Sequence, residues 1–170
     1  EDYEIIPMNE IGIDIDVEED QDTFEGNAIK KAETIAKKLD GKMCLADDSG
    51  IQIEYLNGFP GVNTKRWHNG TDRERNLAII EKLKGVIKEN RKVKFVTVMA
   101  ISDGKNTIFA TGVIDGYIAE NPRGKNGFGF DEIFELEDGR TLAEISSEEK
   151  NIISARRRAL ELLKNKVWFN

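Results

Sequence analysis

The chain has 170 residues, of which 39% are hydrophobic and 34% charged, so it has the size of one compact domain and no room for a second full one. Its net charge of −7 argues against nonspecific binding to nucleic-acid backbones, because proteins that bind them usually carry a basic surface. One cysteine excludes an intrachain disulfide, no apolar stretch approaches the ~20 residues of a membrane span, and the acidic start lacks the pattern of a signal peptide, so a cytoplasmic protein is expected.

The N-terminal part predicts an extended segment, an acidic connection and a helix. Residues 3–7 are a candidate for extended structure, and residues 14–22 are typical of an irregular acidic connection. The apolar residues that follow recur at helical spacing and are Phe24, Ala28, Ile29, Ala32, Ile35, Ala36 and Leu39. Asp22 with Glu25 resembles a capping box, and Gly41 marks the expected end of this first helix.

The next segment predicts a strand, a polar turn and a second strand. Residues 43–46 are apolar and include Cys44, which we expect to pack as a small hydrophobic side chain. Residues 47–50 have the composition of a turn, and residues 51–55 alternate between apolar and polar side chains.

A second helix is indicated by Thr71 with Glu74 as a capping box and by Gly85 as its end. Its expected apolar stripe is Leu77, Ile80 and Leu83. Two longer strands, 93–101 and 107–118, flank a hairpin turn with Asp103-Gly104 at its centre. A final helix is expected to begin near Ser146 or Ser147 and to run through Leu163. The sum is a mixed α/β domain with a largely antiparallel sheet flanked by helices.

Candidate catalytic groups occur in the polar stretch after residue 46. Adjacent Asp47 and Asp48 point in different directions, so one could bind a hard cation while the other orients it or activates a water. The same residues are also typical of a turn in which the side chains cap backbone N–H groups, and taken alone they favour this second interpretation. Glu18 and Glu19 could add an oxygen ligand or remain solvated, and Lys31 could equally be a surface residue.

The glycine-rich loop 121–127 carries two cations and could wrap an anion. Phe128 and Phe130 offer rings on which a purine could stack, and Asp131 could accept hydrogen bonds from base N–H groups. A glycine-rich bend with buried phenylalanines explains the same residues. On the last helix, Lys150 and Arg157 are seven residues apart and are expected to share a face.

The order of these motifs resembles the inosine triphosphate pyrophosphatase family. The resemblance runs from about residue 18 to about residue 163, and its most specific parts are Asp47-Asp48-Ser49-Gly50, Gly58-Phe59-Pro60-Gly61 and Gly127-Phe128-Gly129-Phe130-Asp131. It implies magnesium-dependent hydrolysis of noncanonical purine triphosphates such as ITP, dITP and XTP between the α and β phosphorus atoms, by a homodimer. No nucleic-acid or membrane partner is expected.

The resemblance also implies roles for individual residues. Asp48 is similar to the proton acceptor and metal ligand, and Glu19 to the second metal ligand. Nucleotide contacts are implied for Lys31 and Lys150 at phosphate, for Ser49 and Arg156, and for the base-binding residues Phe128, Gly129, Phe130 and Asp131.

Three departures from the family pattern bear on these expectations. The family usually opens with a strand and a Thr-Gly-Asn-x-x-Lys phosphate loop, and the printed sequence begins after that element, which predicts a sheet without the first family strand. Ala155 stands where the family has a histidine that contacts the base, and Thr64-Lys65 replace Ser-Ala before Arg66. An active pyrophosphatase is therefore expected, with a purine-nucleotide-binding protein that lacks turnover as the alternative. A purely structural module would leave the carboxylates and cations unexplained.

Overall fold

The computed structural model describes residues 4–166, which contain one five-stranded sheet and four α-helices. The strand order is β2-β1-β3-β4-β5, and every neighbouring pair is antiparallel. The strands are β1 Cys44–Ile53, β2 Phe59–Pro60, β3 Lys92–Ser102, β4 Thr107–Ile118 and β5 Phe134–Glu135. The helices are α1 Phe24–Lys38, α2 Asp72–Lys82, α3 Ser147–Ile153 and α4 Ala155–Lys164. The predicted mixed α/β class with a largely antiparallel sheet is confirmed.

Strand β1 differs from its prediction because it continues through residues 47–50 instead of turning there. Asp47 pairs with Met99, Asp48 with Val98 and Ser49 with Thr97 of β3. The polar composition suggested a turn, but the neighbouring strand supplies hydrogen bonds along the whole segment. The hairpin between β3 and β4 lies at the predicted Asp-Gly turn, and it places these two strands in register from end to end.

Helix α1 begins one residue later than the capping prediction. Thr23, not Asp22, is the N-cap, and its hydroxyl accepts a hydrogen bond from the Gly26 N–H. The helix buries Phe24 and Ala28 against β1 and β3, as the apolar spacing predicts. It also buries Asn27, the one polar member of that face among the described residues.

Helix α2 has the predicted capping box of Thr71 and Glu74. Its buried face is rotated from the predicted one, since Leu77 is 48% exposed whereas Asn76 and Ile79 are buried. The buried face of α2 therefore includes the polar side chain of Asn76, which the predicted apolar stripe does not contain.

The predicted last helix is two helices, because the chain breaks at Ser154. Ser154 has an extended backbone, ends α3 and caps α4 by accepting a hydrogen bond from the Arg157 N–H. Lys150 and Arg157 consequently lie on different helices, and the prediction that they share one helical face is wrong.

Helices cover both faces of the sheet, as alternation along β3 shows. Val96 and Val98 pack with α1, whereas Met99 packs with Ala159 and Leu163 of α4. On the α4 side, Gly112 permits close contact, because a Cβ there would lie 2.0 Å from the Ala155 carbonyl oxygen. The sheet is thus the middle layer, with α1 on one face and α4 on the other.

The start of the described chain does not form the extended element expected at residues 3–7. Residues 4–7 have no regular structure and precede a 3₁₀ turn, Met8–Ile11, while Tyr3 lies outside the described residues. Cys44 is buried in an apolar cluster, as predicted. Within residues 4–166, the helices are too short or too polar to span a membrane.

Candidate functional site

A cleft of about 640 Å³ opens where α1, the middle of β1, α2, the loop before β5 and the ends of α3 and α4 converge. Eight ionisable side chains line it, namely Lys31, Lys65, Arg75, Lys150, Arg156, Asp47, Asp48 and Asp72. Cations outnumber carboxylates here, although the whole chain carries a net charge of −7. The cleft is therefore suited to an anionic ligand with one carboxylate-rich corner.

Strand alternation separates the two adjacent aspartates. Asp48 pairs with Val98 and lies on the face covered by α1, whereas Asp47 pairs with Met99 and lies on the face covered by α4. The prediction that these two carboxylates point in different directions is confirmed, and its cause is their position inside a strand.

The carboxylate of Asp48 is held on both of its oxygens by α1. Asn27 Nδ2 donates to Asp48 Oδ2 at 3.0 Å, and Lys31 Nζ donates to Asp48 Oδ1 at 3.1 Å. Lys31 Nζ also donates to Glu19 Oε1 at 3.0 Å, and Arg66 donates to the other oxygen of Glu19. One ammonium group thus bridges the two carboxylates for which the family resemblance implies a role as metal ligands.

In each of these two carboxyl groups, burial raises the pKa and neighbouring cations lower it. Asp48 is only 8% exposed, and loss of solvation raises its pKa above the ordinary value, against the opposing effects of Lys31 and Asn27. Burial also disfavours ionisation of Glu19, but the hydrogen bond and charge of Lys31, with smaller contributions from Lys65 and Arg66, hold its pKa below the ordinary value. The pKa of Asp48 is thus raised and that of Glu19 lowered, each relative to its own ordinary value.

On the opposite face, Asp47 organises a second polar group. Arg156 donates to Asp47 Oδ2 at 2.8 Å, and Ser49 Oγ lies 3.1 Å from the same oxygen and 3.0 Å from Thr97 Oγ1 of β3. Arg156 is half exposed and extends from the first turn of α4. Arg156 also lines the cleft, and its guanidinium carries further N–H donors besides the one that binds Asp47.

The segment 128–131 forms a turn with one exposed and one buried ring. Phe128 is 68% exposed, whereas Phe130 is 5% exposed and packs in the main apolar core. Asp131 Oδ2 accepts a hydrogen bond from the Phe128 N–H at 2.8 Å and pairs with Lys150. The Lys150 ammonium also lies 4.5 Å from the centre of the Phe128 ring. Phe128 is therefore the ring free to stack on a ligand, while Phe130 mainly anchors the turn.

Most residues singled out from the sequence lie along this one cleft. Those that line it are Lys31, Asp48, Ser49, Phe128, Gly129, Phe130, Lys150 and Arg156, with Glu19 and Asp131 directly behind them as partners of Lys31 and Lys150. Lys150 was expected at phosphate, but its contacts are with Phe128 and Asp131.

Sequence reasoning missed the contributions of Thr97, Asp72 and Asn76 to the cleft. Asn76 carried a recognisable signal, because it is spaced three and seven residues before the buried Ile79 and Leu83 and so interrupts their apolar face. Thr97 carried none, since a threonine in a strand is common and its partner Ser49 is distant in the chain.

Several known proteins are similar to this chain. A sequence model of the Ham1 family matches residues 1–166. The dITP/XTP pyrophosphatase of Thermoanaerobacter sp. (strain X514) is 43% identical over 167 residues, 96% of this chain and 84% of that protein. The dITP/XTP pyrophosphatase of Clostridium perfringens (strain 13 / Type A) is 45% identical over 172 residues, with the same coverage. The solved Ham1 protein of Staphylococcus aureus is 39% identical, with a TM-score of 0.87 over 96% of this chain and 86% of that one.

Proposed function

The chain belongs to the Ham1 family, and we propose that it hydrolyses noncanonical purine nucleoside triphosphates, dITP, ITP and XTP among them, to the nucleoside monophosphate and pyrophosphate. The observation that best supports this proposal is the buried Asp48 carboxylate, which lies at the wall of a cation-rich cleft and is held by Asn27 and Lys31. An acidic chain that gathers cations around one basic carboxylate is suited to an anionic substrate and a nucleophilic water.

Asp48 is our candidate for the general base. Attack on a phosphorus atom surrounded by negative oxygens requires that the water lose its proton as the bond to phosphorus forms. The fixed hydrogen bonds from Asn27 and Lys31 orient the Asp48 carboxylate, and burial makes it a better proton acceptor than a solvated aspartate. Lys31 supplies positive charge at the same point, where it can stabilise developing charge on the phosphate.

Glu19 and Asp48 are our candidates for binding one magnesium ion together with substrate oxygens. Their nearest oxygens lie within roughly 6 Å of each other, because both are close to 3 Å from Lys31 Nζ. No group of three or more His, Cys, Asp or Glu in residues 4–166 could hold a metal by itself. The donor set still fits magnesium, which typically takes one or two carboxylates and completes its octahedron with water and substrate phosphates.

The proposed magnesium ion would offset phosphate charge and lower the pKa of a bound water. Lys31 would then exchange its two carboxylate contacts for a phosphate contact. Enzymes named dITP/XTP pyrophosphatase are metal-dependent hydrolases, and this general property supports the proposal.

The opposite part of the cleft is our candidate for the base. Phe128 offers a ring face, and Arg156 and Ser49 offer donors on the α4 side. The contacts of Lys150 with Phe128 and Asp131 lead us to assign it to this base-binding part, in place of the phosphate role implied by the resemblance.

The direct experiment is to incubate the purified chain with magnesium and dITP and to identify both products. The proposal expects dIMP and pyrophosphate in equal amounts, and much slower release from dGTP or dATP. Release of orthophosphate would contradict cleavage between the α and β phosphorus atoms. Tight binding of dITP without any product would instead support a nucleotide-binding protein that lacks turnover.

We further propose that the enzyme acts as a cytoplasmic homodimer, as the family resemblance implies. Sedimentation equilibrium should then give about twice the monomer mass of 19.2 kDa. A single species at the monomer mass over the working concentration range would contradict the dimer.

A further inference from the structure

Helix α2 reaches across the cleft and holds one glycine of the segment 128–131. We propose that Asp72 and Asn76 are positioning residues that fix the Gly129 peptide and thereby set where the Phe128 ring meets the purine. This inference rests on the proposed function, since it concerns the base-binding part of the same cleft.

The two contacts involve both backbone polar groups of one residue. The Gly129 N–H donates to Asp72 Oδ2 at 2.8 Å, and Asn76 Nδ2 donates to the Gly129 carbonyl oxygen at 3.0 Å. Asp72 and Asn76 are four residues apart, so they occupy one face of α2. A single rigid helical face therefore clamps the glycine from both sides.

Gly129 is a residue whose backbone conformation such a clamp would restrict. Its φ is +63°, in the left-handed region, and it separates the exposed Phe128 from the buried Phe130. Glycine has the widest choice of backbone conformations, so rotation here would carry the Phe128 ring while Phe130 stays in the core. Fixing both polar groups of Gly129 removes that freedom.

The hydrogen bond to the Gly129 carbonyl oxygen explains why position 76 carries an amide side chain. Asn76 is 1% exposed, and its Oδ1 atom has no hydrogen-bond partner among the described residues. It lies on the same helical face as Ile79 and Leu83, which are fully buried. An apolar side chain would avoid burying an unpaired acceptor, so the presence of asparagine is best explained by the hydrogen bond to Gly129.

The Asp72 carboxylate is itself held in place by a second hydrogen bond. Arg75 donates to its other oxygen at 2.5 Å, and that hydrogen bond, followed by the one from Gly129, holds the pKa of Asp72 below its ordinary value. The carboxylate is consequently ionised and oriented before any ligand binds. Both Asp72 and Asn76 line the cleft, so the clamp lies beside the part of the cleft that we assign to the base.

The test compares Asn76→Ala and Asp72→Ala with Asp72→Asn, which keeps an acceptor for the Gly129 N–H. The control is Arg73→Gln on the same helix, which removes the pair between Arg73 and Glu132 but leaves Gly129 untouched. The readouts are KM and kcat for dITP and dGTP, calorimetric Kd values for dITP and for inorganic tripolyphosphate, and the melting temperature.

Loss of one hydrogen bond should raise KM and Kd for dITP roughly 5- to 10-fold in both alanine variants, with kcat changed much less. The preference for dITP over dGTP should change, and affinity for tripolyphosphate, which has no base, should remain as in the wild type. Asp72→Asn should recover most of the dITP affinity lost in Asp72→Ala, and Arg73→Gln should match the wild type.

A lower melting temperature with an unchanged dITP preference and unchanged dITP affinity would make the clamp purely structural and overturn the inference. Equal weakening of dITP and tripolyphosphate would also overturn it. A wild-type chain without turnover would refute the proposed reaction, but the comparison of the two Kd values would still decide the role of the clamp.

Discussion

Lys31 Nζ on α1 lies 3.1 Å from Asp48 Oδ1 in the middle of β1. The contact joins a helix and a strand that pack face to face, and it brings a cation to a carboxylate that is 8% exposed. Unpaired, such a carboxylate would favour its neutral form, in which it could not accept a proton. The lysine therefore favours the charged form that the proposed chemistry requires.

Replacing Asp48 with asparagine should abolish turnover while sparing most nucleotide binding. The amide keeps the size of the side chain but cannot accept the proton of the attacking water, so kcat should fall roughly 100- to 10,000-fold. Pyrophosphate release and the Kd for dITP measure the two effects. Asp20→Asn, which changes an exposed aspartate paired with Lys30, should keep full activity. Wild-type release of pyrophosphate by the Asp48 variant would remove Asp48 from the mechanism.

Helices α1 and α2 and the long hairpin could be predicted because their signals are local. The capping box of α2 and the Asp-Gly turn between β3 and β4 each depend on residues a few positions apart. Strand β1 could not be read in the same way. Its Asp47 and Asp48 look like turn residues until their partners are known, and those partners come from α1 and from Arg156, 109 residues away.

Part of the site could be predicted from the order of the motifs along the chain. The motif order identified Asp48, Lys31 and the segment 128–131, and of these residues all except Asp131 line one cleft. The break at Ser154 was missed because serine is tolerated inside helices, and only its extended backbone separates Lys150 from α4. The clamp on Gly129 depends on tertiary contact between α2 and a loop more than 50 residues later, which no local pattern reports.

Glu19→Gln should raise the magnesium concentration needed for half-maximal rate. The amide keeps one neutral oxygen but loses the charge that attracts a divalent cation, so the shift should be at least roughly tenfold, as even loss of outer partners of metal ligands has that effect. Rates are measured across a magnesium titration after treatment with a chelator. Glu18→Gln, one residue away and exposed, is the control. Full activity of the wild type in excess chelator would refute metal dependence.

Glu135→Gln should lower stability at neutral pH but not in acid. Burial opposes ionisation of Glu135, but hydrogen bonds from Lys88 and Arg123 outweigh it and lower its pKa below the ordinary 4.5. A lowered pKa means that the ionised group stabilises the fold above that ordinary value, and that this contribution is lost as the pH falls through the folded-state pKa.

The melting temperature of the Glu135 variant should therefore be roughly 2–6 °C lower than that of the wild type at pH 7, and the gap should close below about pH 4.5. Scanning calorimetry from pH 7 to pH 3 measures this gap. Glu54→Gln, at an exposed glutamate, should show no gap at either end of the range. A gap that is constant with pH would mean that packing, not charge, explains the loss.

Gly112→Ala should destabilise the packing of α4 on the sheet. The added Cβ would lie 2.0 Å from the Ala155 carbonyl oxygen and 2.4 Å from the Ala159 nitrogen, and both are backbone atoms that cannot rotate away. Overpacking of this kind costs about 1–3 kcal/mol, which urea denaturation would measure. Thr111→Ala at the exposed neighbouring position should cost less. Unchanged stability of the glycine variant would show that α4 can move without cost.

Ala155→His should strengthen the preference for ITP over GTP. Ala155 is the first residue of α4, is 2% exposed and lines the cleft between Ser154 and Arg156, so its methyl group offers a bound base neither donor nor acceptor. A polar site rejects a wrong base mainly by leaving buried groups unpaired, so an added imidazole should improve discrimination by roughly 1–3 kcal/mol. The measurement is the ratio of kcat/KM for ITP to that for GTP. Ala155→Leu fills similar space without polar atoms and should not raise this ratio. A ratio that is already large with alanine and does not rise with histidine would place base recognition in the segment 128–131, where Phe128 and the clamped Gly129 lie.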